Sequence, residues 1–285
     1  MFSDILLTVD YDRTLTAPDS TIPERNLEAI RYFLKNGGAF TVNTGRSLPM
    51  IQCFKDKVPV NAPLLLYNGA VAYDVQRDEL VFAHEIQLDM WKTVGELIEL
   101  FPDLTVEVQA LDKHYNFLPN PAWDAFSAHN CAYATARPGQ ELGPFLKFSL
   151  YGEIRDVTVE QLYSGSAEEI RRMDEAEKKI KEVYADHVAV FRAGPRIIDV
   201  QTKGISKGRA ARELQRQLGK KILVCVGDAE NDVVMLDEAD FAFVPADAIL
   251  KNRYENVCKC AEGAVADVIY EKIPRILNLD LDKRE

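Results

Sequence analysis

The 285-residue sequence predicts an α/β fold in which a parallel-sheet core is interrupted by an inserted α/β domain. Three observations predict it. Short apolar runs alternate with amphipathic helices near the N-terminus, the same grammar returns in the C-terminal third, and the texture changes between them. A parallel strand covered on both faces reads as a continuous apolar run, whereas a helix packed on one face repeats its apolar positions with the helical period.

Ile5-Leu6-Leu7-Thr8-Val9 is the first such run, and it breaks at the polar residues 10–16. Pro23 opens a helix with Leu27, Ile30 and Leu34 on one face, and Gly37-Gly38 ends it, since helices commonly stop at a left-handed glycine. Residues 39–42 form the next strand, ending at Asn43-Thr44-Gly45-Arg46, and Leu64-Leu65-Leu66 a third, ending at Asn68-Gly69. In the last third, residues 197–200, 222–226 and 241–244 read as strands, and residues 207–218, 232–238 and 264–277 as helices. Between the halves, residues 90–101 and 167–184 predict helices, and residues 104–108, 145–151 and 188–191 strands, none of which ends in an acidic cluster. The whole is a Rossmann-like parallel-sheet core over residues 1–83 and 195–285, with an α/β insert over residues 84–194.

A formal charge of −11 and a pI near 5.0 argue against a nucleic-acid partner, whose phosphates would meet mostly carboxylates. An anionic small molecule stays possible, because a metal and a few cations can reverse the field inside a cleft. No apolar run approaches bilayer length, and Met1-Phe2-Ser3-Asp4 lacks the basic segment of a signal peptide, so a cytoplasmic protein without membrane association is expected. The five cysteines (Cys53, Cys131, Cys225, Cys258 and Cys260) are scattered and odd in number, which makes a poor disulfide framework, and the Cys258/Cys260 spacing does not suit zinc. His84, His114, His129 and His187 show no ligand spacing and read as packing or surface residues, as Trp91 and Trp123 read as packing.

The chemistry lies at strand ends. Asp10-Tyr11-Asp12-Arg13-Thr14, Asn43-Thr44-Gly45-Arg46 and Gly227-Asp228-Ala229-Glu230-Asn231-Asp232 would arrive at the C-terminal edge of the sheet, where ligands of open parallel sheets bind. Carboxylates gathered there would repel unless a hard divalent cation joined them, and oxygen-only ligands favour Mg²⁺ over zinc. Taken singly, each piece is ordinary: an acidic turn, a capping hydroxyl at Thr44, a solvated helix residue at Lys207, an N-cap cluster at residues 227–232. Their order, their strand-end placement and a domain-sized gap between the second and third pieces set them apart.

In these motifs the sequence resembles the haloacid dehalogenase-like (HAD) hydrolases, and more narrowly the Cof-type phosphatases with an α/β cap. Asp10-Tyr11-Asp12-Arg13-Thr14 is similar to the family's Asp-x-Asp-x-Thr, Thr44 to its second motif, Lys207 to the third, and residues 227–232 to Gly-Asp-x-x-Asn-Asp, while Asn68-Gly69-Ala70 resembles a further landmark. The resemblance implies a Mg²⁺-dependent hydrolase of phosphate monoesters of small metabolites, such as sugar or cofactor phosphates. Asp10 would be the nucleophile that becomes an aspartyl phosphate, and Asp12 the general acid and base. Asp10, the Asp12 main-chain carbonyl, Asp228 and Asp232 would hold the metal; Thr44, Gly45, Lys207 and Asn231 would bind substrate. One departure stands out: where most Cof-type members have glycine, this chain has Arg13.

A sugar phosphomutase or phosphotransferase shares the aspartyl-phosphate step and would require a bisphosphate activator. A phosphate-ligand sensor would bind without turnover, but it has no need of the acid Asp12. The substrate and the oligomeric state are not legible in the sequence.

Overall fold

The computed structural model describes residues 1–118, 132–152 and 164–281; Trp123, His129 and Cys131 lie outside them. In chain order the elements begin with β1 (Ile5–Val9), α1 (Glu24–Lys35), β2 (Ala39–Val42), β3 (Leu64–Leu66), β4 (Val71–Asp74) and β5 (Glu79–Ala83). There follow α2 (Met90–Leu100), β6 (Thr105–Ala110), β7 (His114–Asn116), β8 (Tyr133–Thr135), β9 (Phe145–Tyr151), α3 (Ala167–Val183), β10 (Val188–Gly194) and β11 (Ile197–Thr202). The last are α4 (Lys207–Gln217), β12 (Ile222–Val226), α5 (Val233–Glu238), β13 (Phe241–Pro245), β14 (Glu255–Val257), α6 (Cys260–Asp267) and α7 (Ile273–Leu281).

Two compact units result. The first comprises Met1–Thr44, Phe54–Val81 and Ser206–Glu285, and the second Gly45–Cys53 and Phe82–Ile205.

The first unit is built on a parallel sheet of order β14-β13-β12-β1-β2. Every residue of β1 is buried, as its unbroken apolar run requires. Helix α1 covers the sheet with Ala29, Ile30 and Phe33 and ends as expected: Gly37 takes φ 90° and donates to Leu34 O, and Gly38 donates to Phe33 O. Register decides where the polar clusters emerge. Val9 is level with Val42 and Val226, Asp10 N donates to Val226 O, and Asn43 N donates to Val9 O. Parallel strands in register release their next residues at one edge. Beside β2, a bridge from Asn43 to Leu65 brings in β3, which turns back antiparallel into β4.

The second unit is a sheet of order β10-β11-β9-β6-β7-β8, antiparallel except where β7 meets β8. Alternation divides its faces. Val106, Val108, Phe148, Leu150, Ile198 and Val200 pack with Met90, Val94 and Leu97 of α2 and Met173, Ala176 and Ile180 of α3. The intervening residues Glu107, Gln109, Lys147, Ser149, Asp199 and Gln201 make a buried polar face.

Two expectations change. Residues 197–200 were expected to open the C-terminal half of the core, but β11 pairs antiparallel with both β9 and β10, and the second unit runs on to Ile205. A short apolar run fits either sheet, and the alternating Asp199 and Gln201 match the polar face of this one. The single helix over residues 264–277 becomes α6, a wide turn at Val268–Lys272 and α7, with Gly263 at φ 96° inside α6. No helix of the described residues is long and apolar enough to cross a membrane.

Candidate active site

Asp10 follows directly on β1, and the chain then wraps into a wide turn, Tyr11–Leu15, closed by Leu15 N donating to Asp10 O. Across the sheet edge, the loop after β12 is organised by Asp232. Its Oδ2 accepts from the main-chain N of Asp228 at 2.9 Å and of Ala229 at 3.1 Å. Gly227 allows this, since a Cβ there would stand 2.6 Å from the Asp232 side chain. Lys207 begins α4, where a cation opposes the helix dipole, so its placement has to be repaid locally. It is: Lys207 Nζ donates to Asp10 Oδ1 and to Asp232 Oδ1, each at 2.6 Å, with the ammonium wholly enclosed.

Asp10, Asp228 and Asp232 each offer an oxygen within 4.8 Å of the others. All three are buried and meet one ammonium, so the fully ionised cluster carries two unbalanced negative charges. The cost appears in the protonation of Asp10 and Asp228. Burial pushes the Asp10 carboxyl up to about 7, with Asp232 and Asp12 adding to the rise and Lys207 opposing it. Burial, then Asp232 and Asp10, raise Asp228 well above the ordinary carboxylate range. Burial disfavours the Lys207 ammonium, but Asp10 and Asp232 outweigh it and hold the group above the usual lysine range. An all-oxygen donor set short of positive charge fits a hard divalent cation.

The other expected residues are placed as follows. Asp12 is half-buried and close enough to act electrostatically on Asp10; its carboxylate stands outside the three-acid group, where the expectation concerned its main-chain carbonyl. Thr44 is buried and tied by its main chain, its N donating to Leu65 O and its O accepting from Asn68 N. Gly45, the next residue, groups with the second unit. Asn231 reaches Asn68, its Nδ2 donating to Asn68 Oδ1 at 3.4 Å. Lys207, read in isolation as a solvated helix residue, is instead among the most enclosed side chains of the first unit.

Some contributors carried no separate signal in the sequence. Thr14 Oγ1 donates to Asp228 Oδ1 at 3.2 Å and orients that acid. Asn43 Nδ2 donates to Lys207 O at 2.9 Å, pinning the start of α4. Gly69 takes φ 94°, and a Cβ on it would lie 2.6 Å from Ser206 O, so only glycine lets this turn approach the helix cap. Thr14 and Asn43 sit inside the motifs, and strand-end position was the signal that marked them.

A family model for haloacid dehalogenase-like hydrolases matches residues 7–269. The chain belongs to that family and is a hydrolase of the Cof type. The Bacillus subtilis (strain 168) protein YxeH is 23% identical over 252 residues, covering 86% of this chain and 88% of its own. The 5-amino-6-(5-phospho-D-ribitylamino)uracil phosphatase YbjI of Escherichia coli (strain K12) is 25% identical over 252 residues, with 85% of each chain covered. Among solved structures, a haloacid dehalogenase-like hydrolase from Bacteroides thetaiotaomicron shares the fold with a TM-score of 0.76 at 18% identity, covering 94% of this chain and 98% of that one.

Proposed function

We propose that the protein is a Mg²⁺-dependent phosphatase that hydrolyses phosphate monoesters of small metabolites through an aspartyl phosphate on Asp10. The observation that carries this reading is the Lys207 ammonium bridging Asp10 Oδ1 and Asp232 Oδ1 beside Asp228, at the carboxyl edge of a parallel sheet. The name of the relative YbjI, a phosphatase of a small phosphorylated compound, supports it.

An Asp10 oxygen attacks phosphorus as the bond to the leaving oxygen breaks, and Asp12 gives that oxygen its proton. Water then attacks phosphorus, Asp12 takes the proton, and the Asp10 carboxylate and inorganic phosphate are released. Lys207 and the Thr44 hydroxyl, with the Gly45 main chain and Asn231, hold the phosphoryl oxygens; Lys207, kept protonated by its two acids, meets the charge that shifts in the transition state. Asp232 holds the Asp228 loop, and Thr14 aims Asp228. Asp10, Asp228 and the Asp12 carbonyl would hold the cation with Asp232 in support, and when bound it neutralises the excess charge and screens the incoming phosphate. The first unit carries the chemistry, and the second selects the leaving group. Cytoplasmic residence accords with this reading.

The test is metal-dependent phosphate release from an aryl phosphate, with acid-quench trapping of phosphoprotein. Asp10→Asn should lower turnover by about 10³-fold or more and abolish the trapped species. Wild-type turnover persisting in that variant would assign the nucleophile elsewhere. A panel of phosphorylated metabolites then identifies the substrate.

A further inference from the structure

The segment Gly45–Cys53 groups with the inserted sheet in one compact unit, although it directly follows Thr44. Two side chains on the polar face of that sheet grip it. Lys147 Nζ donates to Gly45 O at 2.8 Å and to Asp199 Oδ2 at 3.0 Å, and Ser149 Oγ donates to Asp199 Oδ1 at 2.7 Å. His114 Nε2 lies 2.7 Å from Ser47 Oγ, and its Nδ1 lies 3.0 Å from Glu107 Oε1, which also accepts from Gln109 Nε2 at 3.1 Å. A carboxylate oxygen only accepts, so the Nδ1 beside Glu107 carries a proton; in that tautomer Nε2 accepts from the Ser47 hydroxyl.

These groups are deeply enclosed: Ser47 is 0% exposed, Glu107 1%, His114 3%, Asp199 3% and Lys147 4%. Stability alone does not account for them, because buried ion pairs are often replaceable by apolar residues at little cost. Ser47, His114 and Glu107 stand in the order of an activated nucleophile, its base and the base's orienting acid. Enclosure denies that use, since no reactant reaches Ser47. What the two relays do hold is the Gly45 carbonyl and the Ser47 side chain, one and three residues beyond Thr44.

We propose that Ser47–His114–Glu107 and Gly45–Lys147–Asp199–Ser149 are positioning relays that fix the segment after Thr44, and so keep the Gly45 main chain and the Thr44 hydroxyl in the geometry that binds phosphate. The inference rests on the phosphatase reading. Lys147 holds the Gly45 carbonyl, one peptide beyond the Thr44 carbonyl that accepts from Asn68 N, so both peptides flanking Gly45 are tied. Ser47 fixes the exit of the same turn.

The experiment compares wild type with Ser47→Ala, His114→Gln, the double variant and Lys147→Gln. It measures kcat and KM for para-nitrophenyl phosphate, the inhibition constant of inorganic phosphate, and the thermal midpoint. In Ser47→Ala, KM and the phosphate inhibition constant should rise about tenfold with a midpoint near wild type, and kcat should fall less. The double variant should be no worse than its poorer parent, as expected of residues acting in series. Should Lys147→Gln fail to fold, Ser47→Ala still decides. Constants within about twofold of wild type, with only the midpoint lowered, overturn the relays and leave the phosphatase reading standing. Labelling of Ser47 by a fluorophosphonate would overturn them too, by making it a nucleophile. A wild-type protein that neither releases nor binds phosphate sinks the functional reading and the relays with it.

Discussion

At Arg13 the backbone sits at φ 60° and ψ 9°, in the left-handed region that glycine adopts without strain. Its N–H donates to Thr16 Oγ1 at 3.1 Å, which holds the turn that sends Thr14 toward Asp228. Relief of that strain in Arg13→Gly, about 1 kcal/mol, is offset by the larger entropy glycine loses on folding, roughly 0.5–1 kcal/mol. Arg13→Gly should therefore leave stability within about 1 kcal/mol and retain turnover, whereas a β-branched Arg13→Val should cost about 1–2 kcal/mol. Urea unfolding and steady-state kinetics check both. Loss of all turnover in Arg13→Gly would show that the guanidinium itself is needed. The acids and Lys207 were legible in the sequence because motif order and strand-end position together mark them. Thr14 and Asn43 were marked only as members of those clusters, and their partners, like the relays, were not legible, because a hydroxyl, an amide or a buried histidine acquires its role only from groups far along the chain. His114, read from the sequence as packing or surface, makes two polar contacts for that reason.

Helix α3 shows the same division among elements. Its charged face and its beginning were legible, and the structure adds a reciprocal cap: Ser166 Oγ accepts from Glu169 N at 3.2 Å, and Glu169 Oε2 accepts from Ser166 N at 2.7 Å. Arg196 contacts the other Glu169 oxygen, and this pair, followed by the Ser166 N–H, pushes the Glu169 carboxyl down to about 2. A carboxyl depressed on folding contributes stability above its unfolded value, near 4.5, and loses it as pH falls toward about 2. Glu169→Gln should thus cost about 1 kcal/mol at neutral pH, and the gap to wild type should narrow between about pH 5 and about pH 3. A gap independent of pH in paired urea titrations would remove the charge from the account. Strand β11 illustrates the opposite case, since a six-residue apolar and polar alternation does not say which sheet it joins.

For the molecule as a whole, the excess negative charge of the acid cluster links cation binding to the stability of the first unit. A ligand bound only by the folded state at about a hundredfold excess over its Kd adds about 2.7 kcal/mol. Calorimetry should show Mg²⁺ raising the first unit's unfolding midpoint. In chelator, Asp228→Asn should be more stable than wild type by about 1–2 kcal/mol, because it removes one of the repelling charges, and it should lose most of the Mg²⁺ response. An Asp228→Asn variant that still responds fully to Mg²⁺ would place the ion elsewhere.

The composition of the first unit from Met1–Thr44, Phe54–Val81 and Ser206–Glu285 has a consequence for biosynthesis. Strand β1 lies between β2, which follows it closely, and β12, to which it pairs from Ile5 with Ile222 to Val9 with Val226. Translation at about 5–20 residues per second leaves β1 with one edge unpaired for on the order of ten seconds or more before β12 leaves the ribosome. Pairings so remote are slow to close even then, and an apolar strand with an open edge invites the wrong neighbour meanwhile. The most deeply buried strand of the sheet is thus made first and closed on its second edge only when β12 arrives, so the nascent chain, more than the finished enzyme, is the stage at which a wrong pairing threatens this fold.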